Sequence, residues 1–158
     1  MKIVSNATPI ISLSSINRID ILQQIFGKVV VSQAVYNEVK AKRRYGYDDI
    51  DSPFIEVTSI QGVAYRDLLL SQLDVGEAET IILAKEIHAD FVIIDENIGY
   101  RIAKNSNLQV IRTLSILLKA KEKGVIPAIK PLLDEMIAKG RWYSKNVYET
   151  CLRKCNEL

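Results

Sequence analysis

The chain has 158 residues, 25% of them charged and 48% hydrophobic, with a formal net charge of +2. That length suits one domain whose core needs neither metal nor disulfide to fold, and so small a charge does not by itself announce a nucleic-acid binder. A mean hydropathy of +0.07 without an apolar run of about 18 residues excludes a transmembrane helix, and MKIVSNATPII, broken at Asn6 and Pro9, does not read as a signal peptide; the expected location is cytoplasmic, with no membrane partner.

Lys2 to Ser5 is short and β-branched, and Asn6, Thr8 and Pro9 close it, which predicts a strand ending in a polar turn. Pro9 suits a first helical turn with Thr8 as its cap, and Ile10, Ile11, Leu13 and Ile16 form the buried face. A second helical piece carries Ile19 to Ile25 and stops at Gly27. Val29 to Val31 reads as a buried strand, after which Ser32 caps a helix with Val35, Tyr36 and Val39 on one side and Glu38 on another. Lys40 to Ser52 reads as a surface loop, Phe54 to Val57 as an edge strand, and Val63 to Leu73 as a helix. Past residue 95, Ile98 to Lys104 reads as helix, Val110 and Ile111 as a last strand, and Thr113 as the cap of a helix from Leu114 to Gly124. Pro131 opens a helix through Ala138, and Ser144 caps a final one reaching about Cys155. Alternating strands and helices predict an α/β fold with a parallel sheet in residues 1–124. Residues 125–158 read as a C-terminal helical extension of the same domain. Cys151 and Cys155 are the only cysteines and His88 the only histidine, too few partners for a zinc site.

The stretch LDVGEAETIILAKEIHADFVIID, Leu73 to Asp95, organises the rest. Glu77 and Glu79 fall in the first turn of an apolar helix. FVII then has no polar alternation, as expected of a strand covered on both faces, and Asp95 closes it at the carboxyl end, where open α/β sheets place their sites. With Asn6 at the first strand end and Glu38 after the second, these residues make an oxygen-rich constellation. Crowded carboxylates raise one another's pKa until a cation settles among them. Oxygen ligands favour Mg²⁺ or Mn²⁺ over zinc, and such ions support hydrolysis of phosphodiesters. Glu77 or Glu79 serves equally as third acid on spacing alone. The helix dipole also explains an acid at Glu77, and a solvated helix face explains Glu38.

Among the basic residues, KAKRRYGY combines cations with aromatic rings, the composition of a nucleic-acid contact or of a solvated loop. Arg101, Lys104 and Arg112 lie close to Asp95 in the chain and suit an RNA backbone. Thr8 and Ser12 are placed to hold a phosphate near the first strand end. Trp142 and Tyr143 beside Arg141 read as an interface patch or as core. An acid at a strand tip also fits a phosphoacceptor module, although the first strand ends in Asn rather than an acidic pair.

SNATPII, DVGEAETIILA, VIIDEN and RTLSILLKAKEKGVIPAIKPLLDEM together resemble the PIN domain family, in the branch that opens with SNxTP and carries GEAE. The resemblance spans nearly the whole chain and implies a three-layer α/β/α fold and a metal-dependent ribonuclease, the toxin component of a toxin-antitoxin pair. It further implies Mg²⁺ or Mn²⁺, an RNA substrate, a cognate antitoxin and a homodimer. The site it implies is Asn6, Glu38, Glu77 and Asp95, with Glu79 retained as an alternative metal ligand; Glu96 and Asn97 stand next to it. Asn6 departs from the family's usual Asp. That departure leaves open a degenerate, non-catalytic PIN domain that binds RNA or a protein partner.

Overall fold

The computed structural model describes residues 1–158. Five parallel strands, β1 (Ile3–Ser5), β2 (Val29–Ser32), β3 (Ile55–Thr58), β4 (Phe91–Ile93) and β5 (Val110–Ile111), form one sheet in the order β3-β2-β1-β4-β5. The first helices are α1 (Ala7–Ser15), α2 (Asp20–Phe26), α3 (Gln33–Lys40) and α4 (Val63–Leu69). After them come α5 (Val75–Glu86), α6 (Asn97–Asn105), α7 (Thr113–Glu122), α8 (Lys130–Ala138) and α9 (Lys145–Lys154). The fold is the expected α/β/α arrangement.

Strand composition follows from this layering. Ile3, Val29, Val31 and Ile93 face a large cluster that includes side chains of α1, α2 and α7. Val4, Val92 and Ile94 face a second cluster built on Ala78, Ile81 and Ala84 of α5. Each residue of a central strand therefore meets apolar atoms whichever way it points, and polar alternation disappears. Every such fully buried Ile or Leu contributes about 1.5–3 kcal/mol. Leu133, Met136, Cys151 and Leu152 of α8 and α9 join the larger cluster, so the C-terminal helices share its core.

Two expected caps are corrected. Asn6, not Thr8, stands at the N-cap of α1, and the Thr8 hydroxyl donates to Glu96 instead. Thr113 is the first residue of α7 rather than its cap; its N–H and hydroxyl donate to Asp95 at 2.8 and 2.7 Å. Both threonines serve acids that arrive from β4. The other caps stand: Ser32 and Ser144 accept from Val35 N and Val147 N, each at 3.1 Å.

The Lys40–Ser52 segment is more tightly built than a solvated loop. Lys40 Nζ donates to the Tyr47 carbonyl and to Asp51, both at 2.8 Å, while lying 3.6 Å from the centre of the Tyr47 ring. A 3₁₀ turn over Asp49–Asp51 buries Ile50. Far from the sheet's carboxyl edge, Glu157 ties the chain end down by accepting from Ile129 N, Lys130 N and Lys121 Nζ at 2.7, 2.8 and 3.0 Å.

Candidate functional site

β1 and β4 are neighbours at the sheet's centre, and the strand order runs outward from them in opposite directions. Such a reversal opens a crevice beyond the strand ends. Asn6, 3% exposed, stands there after β1, and its N–H donates to the Ile93 carbonyl at 3.0 Å. Its Nδ2 donates to Glu96 Oε2 at 3.3 Å. That bond orients the amide, so Oδ1 faces Gly76 of α5. Thr8 donates to the other Glu96 oxygen.

α5 enters the crevice by its N-terminus through a capping box. Asp74 accepts from Glu77 N at 2.8 Å and Glu77 Oε1 accepts from Asp74 N at 3.2 Å, satisfying two end amides at once. The helix can approach so closely because of a glycine: a Cβ on Gly76 would lie 2.8 Å from Glu38 Oε1 and 3.6 Å from Asn6 Oδ1. Gly99 does the same on α6, where a Cβ would lie 2.8 Å from Glu77 Oε2. Two missing side chains thus leave the room that two carboxylates occupy.

The electrostatics follow from this crowding. Burial, aided by the charges of Asp74 and Glu96 and only partly offset by the Asp74 N–H, pushes the Glu77 carboxyl up to about 7. Desolvation, then Asp74 and Glu96, also raises Glu38, although that residue as a whole is exposed. Each of the two feels Asp74 and Glu96, and protonation relieves that repulsion in part.

Asp95, 8% exposed, is bound differently. Thr113 occupies both its oxygens, and Arg141 Nη2 lies 3.4 Å from Oδ2. Asp95 therefore anchors the start of α7 and at the same time borders the crevice. Glu79, the alternative third acid, turns away from the group: its carboxylate accepts from Ala34 N and pairs with Arg66, both at 3.1 Å. Glu77, and not Glu79, thus stays at the crevice, against Asp74 and within reach of the Glu96 charge.

Of the substrate residues expected from sequence, Thr8 and Ser12 line a cavity of about 410 Å³ beside Glu38, together with Lys42, Arg44, Lys139 and Arg141. Arg112 lines a second cavity, of about 430 Å³, with Asp95, Arg141 and Trp142. Its guanidinium also donates to the Asp95 carbonyl at 2.6 Å and packs over the Tyr100 ring. Lys104 lies 5.7 Å from the centre of the same ring. Arg101 is exposed on α6 and lines neither cavity. Asp74, Arg141 and Lys139 were not expected at the site. The Asp-x-x-Glu spacing of a capping box, visible in Asp74 and Glu77, was the one signal that marked Asp74.

An all-oxygen donor set of Asn6 Oδ1, Glu38, Glu77 and Glu96 suits a hard divalent cation. The two glycine cradles and the raised Glu38 and Glu77 carboxyls fit it further. No group of three or more acids stands close enough together to hold a metal ion as placed; Asp95 is bound to Thr113 and Arg141, and one Glu77 oxygen to the cap.

The PIN domain family model matches residues 2–157, and the chain belongs to that family. PIN domains are generally nucleases, which places the protein among hydrolases at a coarse level. No curated protein matches the chain. No helix is long and apolar enough to cross a membrane.

Proposed function

We propose that this chain is a divalent-cation-dependent endoribonuclease that hydrolyses RNA phosphodiester bonds, working as the toxin of a toxin-antitoxin pair. The observation that supports the catalytic reading is that Glu96 holds Asn6 while Asn6 Oδ1 and Glu38 Oε1 both face Gly76 at the start of α5, the helix that carries Glu77, with Glu38 and Glu77 raised by burial and by the charges of Asp74 and Glu96. Asn6 Oδ1, Glu38 and the free Glu77 oxygen would hold Mg²⁺ or Mn²⁺, with Asp95 closing the β4 side. When bound, the ion supplies Lewis-acid chemistry, acidifying water and steadying negative charge on phosphate.

The chain's own residues do the rest. Glu96 holds the Asn6 amide in one orientation, so a neutral oxygen stands where the family usually has a carboxylate. Lys42, Arg44 and Lys139 line the neighbouring cavity with positive charge and would attract a polyanionic backbone. The test is cleavage of single-stranded RNA in Mg²⁺ or Mn²⁺. Chelation by EDTA, Glu38→Gln and Asp95→Asn should each abolish it, and cleavage that survives all three refutes the assignment.

A second reading rests on Arg141, whose guanidinium already lies against Asp95. A PIN domain neutralised in this way would bind RNA or a protein partner without cutting. Calorimetric titration with Mg²⁺ separates the two, because only the nuclease should show ion binding that Glu77→Gln removes. The antitoxin is expected to be a small protein that restores growth when co-expressed, and light scattering checks the expected homodimer.

A further inference from the structure

The two cavities beside the crevice share one wall residue, Arg141, and each has one acid of the crevice in its lining: Glu38 in the first, Asp95 in the second. Arg141, paired with Asp95, lies in the α8–α9 connection, which supplies none of the crevice acids. Residues of that connection divide between the cavities. Lys139 and Gly140 line the first, Trp142, Tyr143 and Ser144 the second.

The cavities differ in chemistry. The first is cationic and rich in hydroxyls, with Lys42, Arg44 and Lys139 near Thr8 and Ser12. The second carries Arg112, Arg141 and Asn97 around Trp142, the only tryptophan in the chain. Trp142 is 76% exposed, while Tyr143 beside it is half-buried and packs against the larger core. Burial would explain a Trp in a core and does not explain this one. A flat ring left in water in a cavity that Arg112 and Arg141 also line matches what a nucleobase needs: a stacking face with cations nearby for its phosphates.

We infer that the α8–α9 connection is a nucleotide-reading element, in which Trp142 stacks a base on one side of the acidic crevice, Lys42, Arg44 and Lys139 hold backbone phosphates on the other, and Arg141 contacts the phosphate between them. This assignment rests on the ribonuclease reading for its substrate class and extends it to the C-terminal helices. It makes the strand single, because a base inside a duplex has no free face to offer.

Trp142 is its own reporter. Titration of the full-length protein with a short oligouridylate, in EDTA so that the strand stays whole and again with Mg²⁺, should quench and shift its emission. Inorganic polyphosphate should bind without that change. By anisotropy of a labelled oligouridylate, Trp142→Ala should weaken binding roughly 5- to 150-fold at every salt concentration, and Trp142→Phe should recover most of the loss. Lys139→Gln should instead flatten the salt dependence. Circular dichroism confirms that each variant is folded.

An oligouridylate that binds while Trp142 emission stays silent and Trp142→Ala binds normally overturns the inference. So does Trp142 emission that depends on protein concentration alone, which would make the ring a contact between two copies of the chain. RNA cleavage with a silent Trp142 sinks this inference and leaves the nuclease reading standing. A responsive Trp142 with no cleavage in any cation does the reverse.

Discussion

Glu77 joins two demands in one side chain, and Glu77→Gln separates them. Glutamine keeps an acceptor for the Asp74 N–H, so the capping box survives, whereas the charge that burial, Asp74 and Glu96 penalise is removed. A carboxyl raised from 4.5 to about 7 in the folded protein binds a proton that the unfolded chain has already released. Wild-type stability therefore falls as pH rises from about 4.5 to about 7 and stays low above that. The full shift corresponds to about 3 kcal/mol. Because Asp74 and Glu96 share the repulsion, the expected gain for Glu77→Gln near pH 8 is about 1–3 kcal/mol, or about 3–10 °C for a chain of this size. Thermal unfolding followed by circular dichroism in EDTA measures it, with a matched pair near pH 5 where the two proteins should nearly coincide. Added Mg²⁺ should then raise the melting temperature of wild type and leave Glu77→Gln where it was. A glutamine variant less stable than wild type near pH 8 without cation would show that the capping contact, and not charge repulsion, dominates at this position.

Gly76→Ala should gain up to about 1 kcal/mol of helix propensity yet push the Glu38 carboxylate out of place, since the new methyl would lie 2.8 Å from Oε1; calorimetry should record a stable protein with weakened Mg²⁺ binding. Although burial alone would raise Glu157, the amides of Ile129 and Lys130, the Cys155 thiol and Lys121 hold it at about 2, so its contribution is complete above about pH 4.5 and fades as pH falls toward 2. Glu157→Gln should cost about 2–3 kcal/mol at neutral pH, a loss that denaturant melts should find shrinking in acid. His88 occupies the left-handed position at the end of α5, φ 53°, with Ala89 N bonded to the Ala84 carbonyl and His88 N to that of Lys85; His88→Gly should therefore stabilise by about 1 kcal/mol in the same melts.

The sheet was legible because its strands are covered on both faces: VVV and FVII can sit nowhere else in a chain of this length, and their order gave the crevice. The acids at the strand ends were legible for the same reason, since a carboxylate just past a buried strand has few places to go. Side-chain direction within a helix turn was not. Glu77 and Glu79 are two residues apart on α5, about 200° around the axis, so one reaches the crevice and the other Arg66 of α4. Propensity misread Thr8 and Thr113 as caps because a threonine near a helix start usually bonds its own helix, whereas here Glu96 and Asp95 compete successfully for the hydroxyls. Arg141 had no local signal, for its role comes from packing α8 and α9 onto the larger core.

The register that sets Ile3 beside Phe91 also fixes a timetable. β1 cannot pair with β4 until the residues through Phe91 have been made, and Asp95 cannot meet Arg141 until those through Arg141 have. Distant pairings of this kind are slow to close. The crevice between β1 and β4 is therefore among the later parts of this fold to assemble.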